Sequence, residues 1–236
     1  MPEDLKQHET IIGVNNVDKD FVVGKNTIQA LKSVNLNVKS TDFIILFGPS
    51  GCGKSTLFNI ILGLDKPTKG DVTIRGTKIY DLDDDERAMF RAKKIGMIYQ
   101  MPYWIKSLKV IENVALPLMV EGEKETEAIK HAQKMLSDIG IADLADQMPT
   151  QLSGGQQQKV GLARALVSNP WILMADEPTG NLDSVSGGEI MKIFRDLNQK
   201  YKRTILMVTH NEEYWDFGTR RIEIRDGSIV KDTNHG

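Results

Sequence analysis

The chain has 236 residues, with 30 Lys and Arg against 32 Asp and Glu and a formal net charge of −2, so it presents no bulk positive field for holding a nucleic acid. Its one cysteine, Cys52, cannot close an internal disulfide, and the opening MPEDLKQHET lacks the apolar core of a signal peptide, so a reducing cytoplasm is the expected setting. The length suits one well-buried domain with at most a small inserted subdomain, and no apolar window approaches the roughly 18 residues a membrane-spanning helix needs.

In chain order, SVNLNV comes first. Val34, Leu36 and Val38 alternate with polar neighbours, the period-2 signature of a half-buried strand. FIILF (43–47) is apolar throughout, as are WILMA (171–175) and TILMV (204–208), the pattern of parallel strands covered on both faces. Directly after FIILF, GPSGCGKST fits G-x-x-x-x-G-K-[ST] with Gly48, Gly53, Lys54 and Ser55, and TLFNIILGL continues it as a helix. Glycines let successive backbone N–H groups turn inward on an anion, and the helix N-terminus adds partial positive charge. Strand, loop and helix together predict a phosphate cradle over Gly48, Pro49, Ser50, Gly51, Cys52, Gly53, Lys54, Ser55 and Thr56, with Lys54 on the outer phosphates and Ser55 on Mg²⁺. The flanking strand and helix outweigh the bland alternative of a glycine-rich turn. Cys52 is read as a small residue that fits the loop rather than as a catalytic thiol.

TKGD (68–71) matches the guanine-reading pattern [NT]-K-x-D, but it follows the P-loop helix at once and precedes the strand-like VTI, so it reads as a turn and not as part of a GTPase. In EAIKHAQKMLSDIG, Ala128, Ala132, Met135, Leu136 and Ile139 recur at helical spacing and stop at Gly140, a natural C-terminal cap. Residues from about 100 to 158 read mostly as helix. LSGGQQQKV then places Ser153, Gly154 and Gly155 before another helix, a second anion cradle in one small protein.

In WILMADEPTGNLD a buried strand ends on Asp176 and Glu177, and ligand chemistry in open α/β sheets sits at the carboxyl ends of strands. Asp176 is therefore expected to hold Mg²⁺ through water, and Glu177 to be the base that polarises an attacking water. His210 follows TILMVT in the same way and is placed to donate to a γ-phosphate. Near the end, RRIEIRDGSIVKD predicts a hairpin around Asp226-Gly227.

The stretches GPSGCGKST, LSGGQ and ILMADEP, with His210, resemble the Walker A, signature, Walker B and switch elements of ABC transporter ATPases, over residues from about 10 to 231. The resemblance implies an α/β fold: a P-loop NTPase with a RecA-like core, an N-terminal antiparallel β subdomain and an inserted helical subdomain. It implies one ABC ATPase domain over 1–236, with the core at about 1–99 and 159–236 and the helical subdomain at about 100–158. It also explains the second cradle, which in the family covers ATP bound to another subunit, so a second copy of this chain is an expected partner. By the same resemblance Gln100 senses Mg²⁺ and the attacking water, Gln156 completes the signature loop, and Asp183 in GNLD communicates across the dimer. Phe21 stands where the family usually has an adenine-stacking tyrosine; stacking needs only a π-face, and a buried strand phenylalanine is the alternative. Lys159 and Gly161 replace a commoner arginine and alanine.

DEPTGNLD, ENVALPL and the context of Gln100 resemble the ATPases of lipoprotein release, macrolide or peptide export and division-site complexes. That subgroup implies ATP and Mg²⁺ as cofactors, an integral-membrane permease as partner, and a place on the cytoplasmic face of the inner or plasma membrane. Its alternative role is force transmission across the membrane without transport. Tyr103 and Trp104, following Pro102, are either anchors for the permease or packing residues of the helical subdomain. A DNA-repair ATPase would carry a long heptad insertion between the two halves of the site, and none is present. The pair Lys93-Lys94 and KYKR (200–203) are read as solvated faces.

Overall fold

The computed structural model describes residues 9–234; residues 1–8, where the signal-peptide reading mostly falls, lie outside them. The chain divides into two compact units, one made of residues up to 91 together with those from 197, the other of 92–196.

In the first unit, β1 (Thr10–Val23) and β2 (Asn26–Lys39) form a long antiparallel hairpin turning at Gly24, and β1 also pairs antiparallel with β4 (Lys69–Ile74), which carries the short β5 (Thr77–Lys78). Val34, Leu36 and Val38 are buried and their neighbours exposed, as the alternation predicts. A second set of strands surrounds β3 (Phe43–Phe47), which runs parallel to β8 (Thr204–Val208) on one side and β9 (Arg220–Arg225) on the other. All five residues of β8 and the first four of β3 are buried, the physical reason their sequences show no alternation. β9 turns into β10 (Ser228–Asn234) through Asp226 and Gly227, both at positive φ (48° and 83°), the backbone a two-residue hairpin needs. Helix α1 (Lys54–Ile61) buries Leu57, Phe58, Ile60 and Ile61.

The TKGD segment departs from the turn expected there. Lys69, Gly70 and Asp71 are already the first residues of β4, and only glycine fits at 70, where φ is 82° and the backbone oxygens of Asn15 and Asn16 would each lie 2.4 Å from any Cβ. Helix α2 (Asp84–Lys94) has no fully buried residue and so left no clear apolar stripe to read.

In the second unit, β6 (Ile95–Tyr99) pairs in parallel with β7 (Ile172–Asp176). Helices α3 (Val110–Val120), α4 (Glu125–Asp138) and α5 (Gly154–Leu166) share a core that includes Val110, Val114, Ala128, Ala132, Leu136, Val160 and Ala163. The α4 helix stops as predicted, with Gly140 at φ 78°. Residues 101–109 are not helical, and the unit is broader than the helical segment expected at about 100–158, since it also takes in β6, β7 and most of α6 (Ser184–Gln199). No helix among the described residues is long and apolar enough to cross a membrane.

Candidate functional site

The loop between β3 and α1 is built by its glycines. Gly48, Gly51 and Gly53 take φ of 149°, 76° and 109°, values that side-chain-bearing residues rarely adopt. At two of them there is also no room: a Cβ on Gly48 would lie 2.1 Å from the Ile224 carbonyl oxygen, and one on Gly53 2.7 Å from that of Ala30. Pro49, Ser50 and Gly51 form the exposed lip, while Cys52 is buried beneath it, in keeping with its reading as a small fitted residue. The Lys54 ammonium donates to the Gly48 and Pro49 carbonyls at 2.8 and 2.9 Å, which holds its charge over the loop. Ser55 and Thr56 follow in the first turn of α1, which carries no acidic side chain that would compete with a bound anion.

Phe21 and His210 belong to the same unit. Phe21 is 38% exposed, paired across the hairpin with Ile28, and the Lys19 ammonium lies 4.9 Å from its ring centre. It is therefore not the buried strand phenylalanine that was the alternative. His210 is exposed just beyond β8, where the Thr209 N–H donates to the Leu46 carbonyl at 3.3 Å, beside the end of β3.

The second unit holds the other predicted residues. Asp176 is the last residue of β7, and Glu177 next to it has φ 47°, a left-handed conformation that costs a non-glycine residue about 1–3 kcal/mol. The Glu177 carbonyl accepts from the Gly180 N–H at 3.0 Å. Gln100, directly after β6, donates from its carboxamide nitrogen to the Asn181 side-chain oxygen at 3.3 Å, and a Cβ on Gly180 would come within 2.7 Å of that nitrogen. Gln100 and the segment after Glu177 are thus neighbours.

The start of α5 is a capping box. The Ser153 hydroxyl accepts from the Gln156 N–H at 3.3 Å, and the Gln156 side chain accepts from the Ser153 N–H at 2.9 Å. Gln156 is thereby held against its own helix start, while the N–H groups of Gly154 and Gly155, which have no intrahelical acceptor at the head of any α-helix, lead the helix. Both glycines are close to the segment after Glu177: a Cβ on Gly154 would meet Leu182 at 3.3 Å and one on Gly155 the Ser186 hydroxyl at 3.1 Å. Asp183 caps α6, accepting from the N–H groups of Val185 and Ser186 at 3.0 and 2.9 Å and from the Ser186 hydroxyl at 2.8 Å. The hydrogen bonds from Ser186 hold its carboxyl below the ordinary aspartate value.

Of the two aromatics after Pro102, Trp104 is half-buried against the helical core, donates from its indole to Gln157 at 3.1 Å and lies under the Arg164 guanidinium at 4.5 Å. Tyr103 is 75% exposed. The pair therefore separates into one packing residue and one surface residue. Asn181, the partner of Gln100, gave no sign in the sequence, whereas Ser186 could have been found from an aspartate three residues before a serine at a helix start.

Among known proteins, residues 31–180 match the ABC transporter family model. An uncharacterised ABC transporter ATP-binding protein of Methanocaldococcus jannaschii is 46% identical over 95% of this chain and all of its own length. The macrolide export ATP-binding/permease protein MacB of Aggregatibacter actinomycetemcomitans is 41% identical over 94% of this chain, which corresponds to 34% of MacB. Among solved structures, the ATP-binding cassette MJ0796, in a dimeric post-hydrolysis state bound to ADP and Pi, superposes with a TM-score of 0.87 at 42% identity, over 95% of this chain and 99% of that one. The cassette CbiO1 of Clostridium perfringens gives a TM-score of 0.85 at 27% identity, over 98% and 90%. The fold is accordingly the α/β P-loop NTPase fold of ABC ATPases, with its antiparallel β subdomain. The chain belongs to the ATP-binding proteins of ABC transporters, and it is an ATPase.

Proposed function

We propose that this chain powers a separate integral-membrane permease for export or for lipoprotein or peptide release, working as a two-fold dimer that encloses ATP, on the cytoplasmic face of the membrane. In this reading the domain spans 1–236, with a core at about 1–99 and 159–236 and a helical subdomain at about 100–158. The observation that carries it is the presence of two helix starts suited to phosphate, α1 behind the glycine loop and α5 behind the Ser153–Gln156 capping box. One cradle has the lysine and the other has none, which fits two faces of one nucleotide supplied by two copies. The dimeric state of the cassette MJ0796 supports the same arrangement. The printed name of MacB joins an ATP-binding part and a permease in one protein, of which this chain spans about a third, and this supports a permease as partner.

Each residue then has a task. Phe21 stacks on adenine. Residues 48–56 wrap the phosphates, with Lys54 turning from the loop carbonyls to the β- and γ-phosphate oxygens. Ser153, Gly154, Gly155 and Gln156 of the other copy present their helix start to the γ-phosphate, and Asp183 orders the adjoining turn by capping α6. Glu177 accepts the proton of the attacking water, Gln100 orients that water, and His210 donates to the γ-phosphate oxygen.

Ser55, Gln100 and Asp176 each carry the hard oxygen that Mg²⁺ prefers. So small a set of protein oxygens suits a cation whose remaining positions are filled by phosphate and water. When bound, Mg²⁺ supplies charge neutralisation at the transferring phosphoryl group.

The test is light scattering of Glu177→Gln with ATP and Mg²⁺. A stable dimer with two trapped ATP molecules is expected, and a monomer at every ATP concentration would contradict the dimer. Stimulation of hydrolysis by the co-expressed membrane protein tests the permease, and a rate unaffected by it would contradict that part.

A further inference from the structure

We propose that Trp215 is a positioning residue for His210 in ATP hydrolysis, acting through its ring stack on Phe47; the proposal rests on the reading of His210 as the γ-phosphate donor. The segment that carries His210 is fastened at two points to one strand. Before His210, the Thr209 N–H donates to the Leu46 carbonyl at 3.3 Å. After it, the Trp215 indole lies against Phe47 with ring centres 4.1 Å apart and planes 32° apart. Leu46 and Phe47 are the last two residues of β3, and Gly48 opens the phosphate loop directly after them. Both fastenings of the His210 segment are therefore made to the residues that lead into that loop.

The stretch between them is tied by local hydrogen bonds. Asn211 donates from its N–H to the Thr209 hydroxyl at 3.1 Å, and its side chain accepts from the Glu213 N–H at 3.0 Å, starting a 3-10 turn over Glu212–Phe217. The Trp215 carbonyl accepts from the Gly218 N–H and the Arg221 guanidinium, both at 3.2 Å. Trp215 itself has a buried indole N–H with no hydrogen-bond partner. The indole is thus held by no hydrogen bond of its own, and the ring it packs against is that of Phe47. A tryptophan serving only as filler would lower stability when removed without acting on the chemical step. One that fixes His210 lowers turnover while leaving ATP binding intact, and its effect vanishes once His210 is gone.

The test is a double-mutant cycle read by steady-state hydrolysis and by ATP titration calorimetry, with thermal melting to confirm folding. Trp215→Ala is expected to lower kcat about tenfold, as small misplacements of a reacting group do, with the ATP Kd within about twofold of the parent. Trp215→Phe, which keeps a ring on Phe47, is expected to restore most of the rate. Phe47→Leu breaks the stack from the strand side and is expected to reproduce the loss, which covers the case in which Trp215→Ala does not fold. The double variant His210→Ala/Trp215→Ala is expected to be no slower than His210→Ala alone. Wild-type kcat in folded Trp215→Ala or Phe47→Leu, or losses that multiply in the double variant, would overturn the proposal while leaving His210 in place. Wild-type turnover of His210→Ala would overturn the reading of His210 and this proposal with it.

Discussion

Ser153 and Gln156 hold each other across the first turn of α5, each side chain accepting the other's backbone N–H, at 3.3 and 2.9 Å. The helix start behind the signature loop thus satisfies two of its backbone N–H groups with its own side chains. Removing the Ser153 hydroxyl takes away one cap, worth about 1 kcal/mol. Ser153→Ala should lower the unfolding free energy by that amount, read as a lower urea midpoint at unchanged slope, whereas Ser153→Thr, which keeps an acceptor, should stay near the parent. Equal stability of Ser153→Ala and the parent would show that the box adds nothing.

Gly161 lies in the interior of α5, where glycine costs about 1 kcal/mol relative to alanine. A Cβ there would meet Pro102 at 3.5 Å, an ordinary contact. Gly161→Ala should therefore raise the unfolding free energy by roughly 1 kcal/mol without changing hydrolysis. Gly96 is the opposite case: a Cβ on it would lie 2.2 Å from the Ala165 carbonyl oxygen, and Gly96→Ala should destabilise the chain severely. Thermal melts of the two variants moving in the same direction would contradict this account of α5 packing.

Glu177, proposed above as the base, also sits in strained backbone at φ 47°. Glu177→Gln should retain ATP binding and lose roughly 10²- to 10⁴-fold in hydrolysis, the usual worth of a positioned base. Glu177→Gly should also lose hydrolysis but gain stability, because relief of the strain at φ 47°, about 1–3 kcal/mol, exceeds the roughly 0.5–1 kcal/mol of extra unfolded-state entropy that glycine brings. A Glu177→Gly variant less stable than Glu177→Gln would mean that the strain is not relieved.

Asp183 makes cap stability pH-dependent. Its folded value lies below the ordinary 3.8, chiefly through the hydrogen bonds from Ser186, so its contribution is fully present above the unfolded value and fades as pH falls through the folded one. The Tm difference between the parent and Asp183→Ala should be constant near neutrality and shrink below about pH 4. A difference that grows on acidification would contradict the assignment.

Strands buried on both faces were legible because an unbroken apolar run of strand length leaves few alternatives: FIILF and TILMV coincide with β3 and β8. The Asp226-Gly227 turn and the Gly140 cap were legible because each needs a backbone that few residues adopt. The glycine loop between β3 and α1 was legible because its residues are contiguous. What was hidden depends on contacts distant in sequence. Trp104 and Tyr103 are adjacent aromatics, and only the helical core and Arg164 decide which of them is covered. The left-handed Glu177 looks like any strand-end glutamate, and Phe47 gives no local sign that it stacks on Trp215. Lys69 to Asp71 read as a turn because they lie between the phosphate-loop helix and the strand-like VTI, whereas they already form the entrance of β4, fitted against Asn15 and Asn16.

In the proposed dimer a complete ATP site needs the phosphate loop of one copy and the signature loop of another. Hydrolysis by a mixture of Lys54→Ala and Ser153→Arg chains, each nearly inactive alone, tests this most directly. In a mixed dimer one site joins an intact Lys54 to an intact Ser153, so mixing should restore ATP turnover, rising toward half the parental rate per mixed dimer. If the mixture stays as inactive as its components while calorimetry shows that the Ser153→Arg chain still binds ATP, the two cradles do not complete each other and the account is wrong.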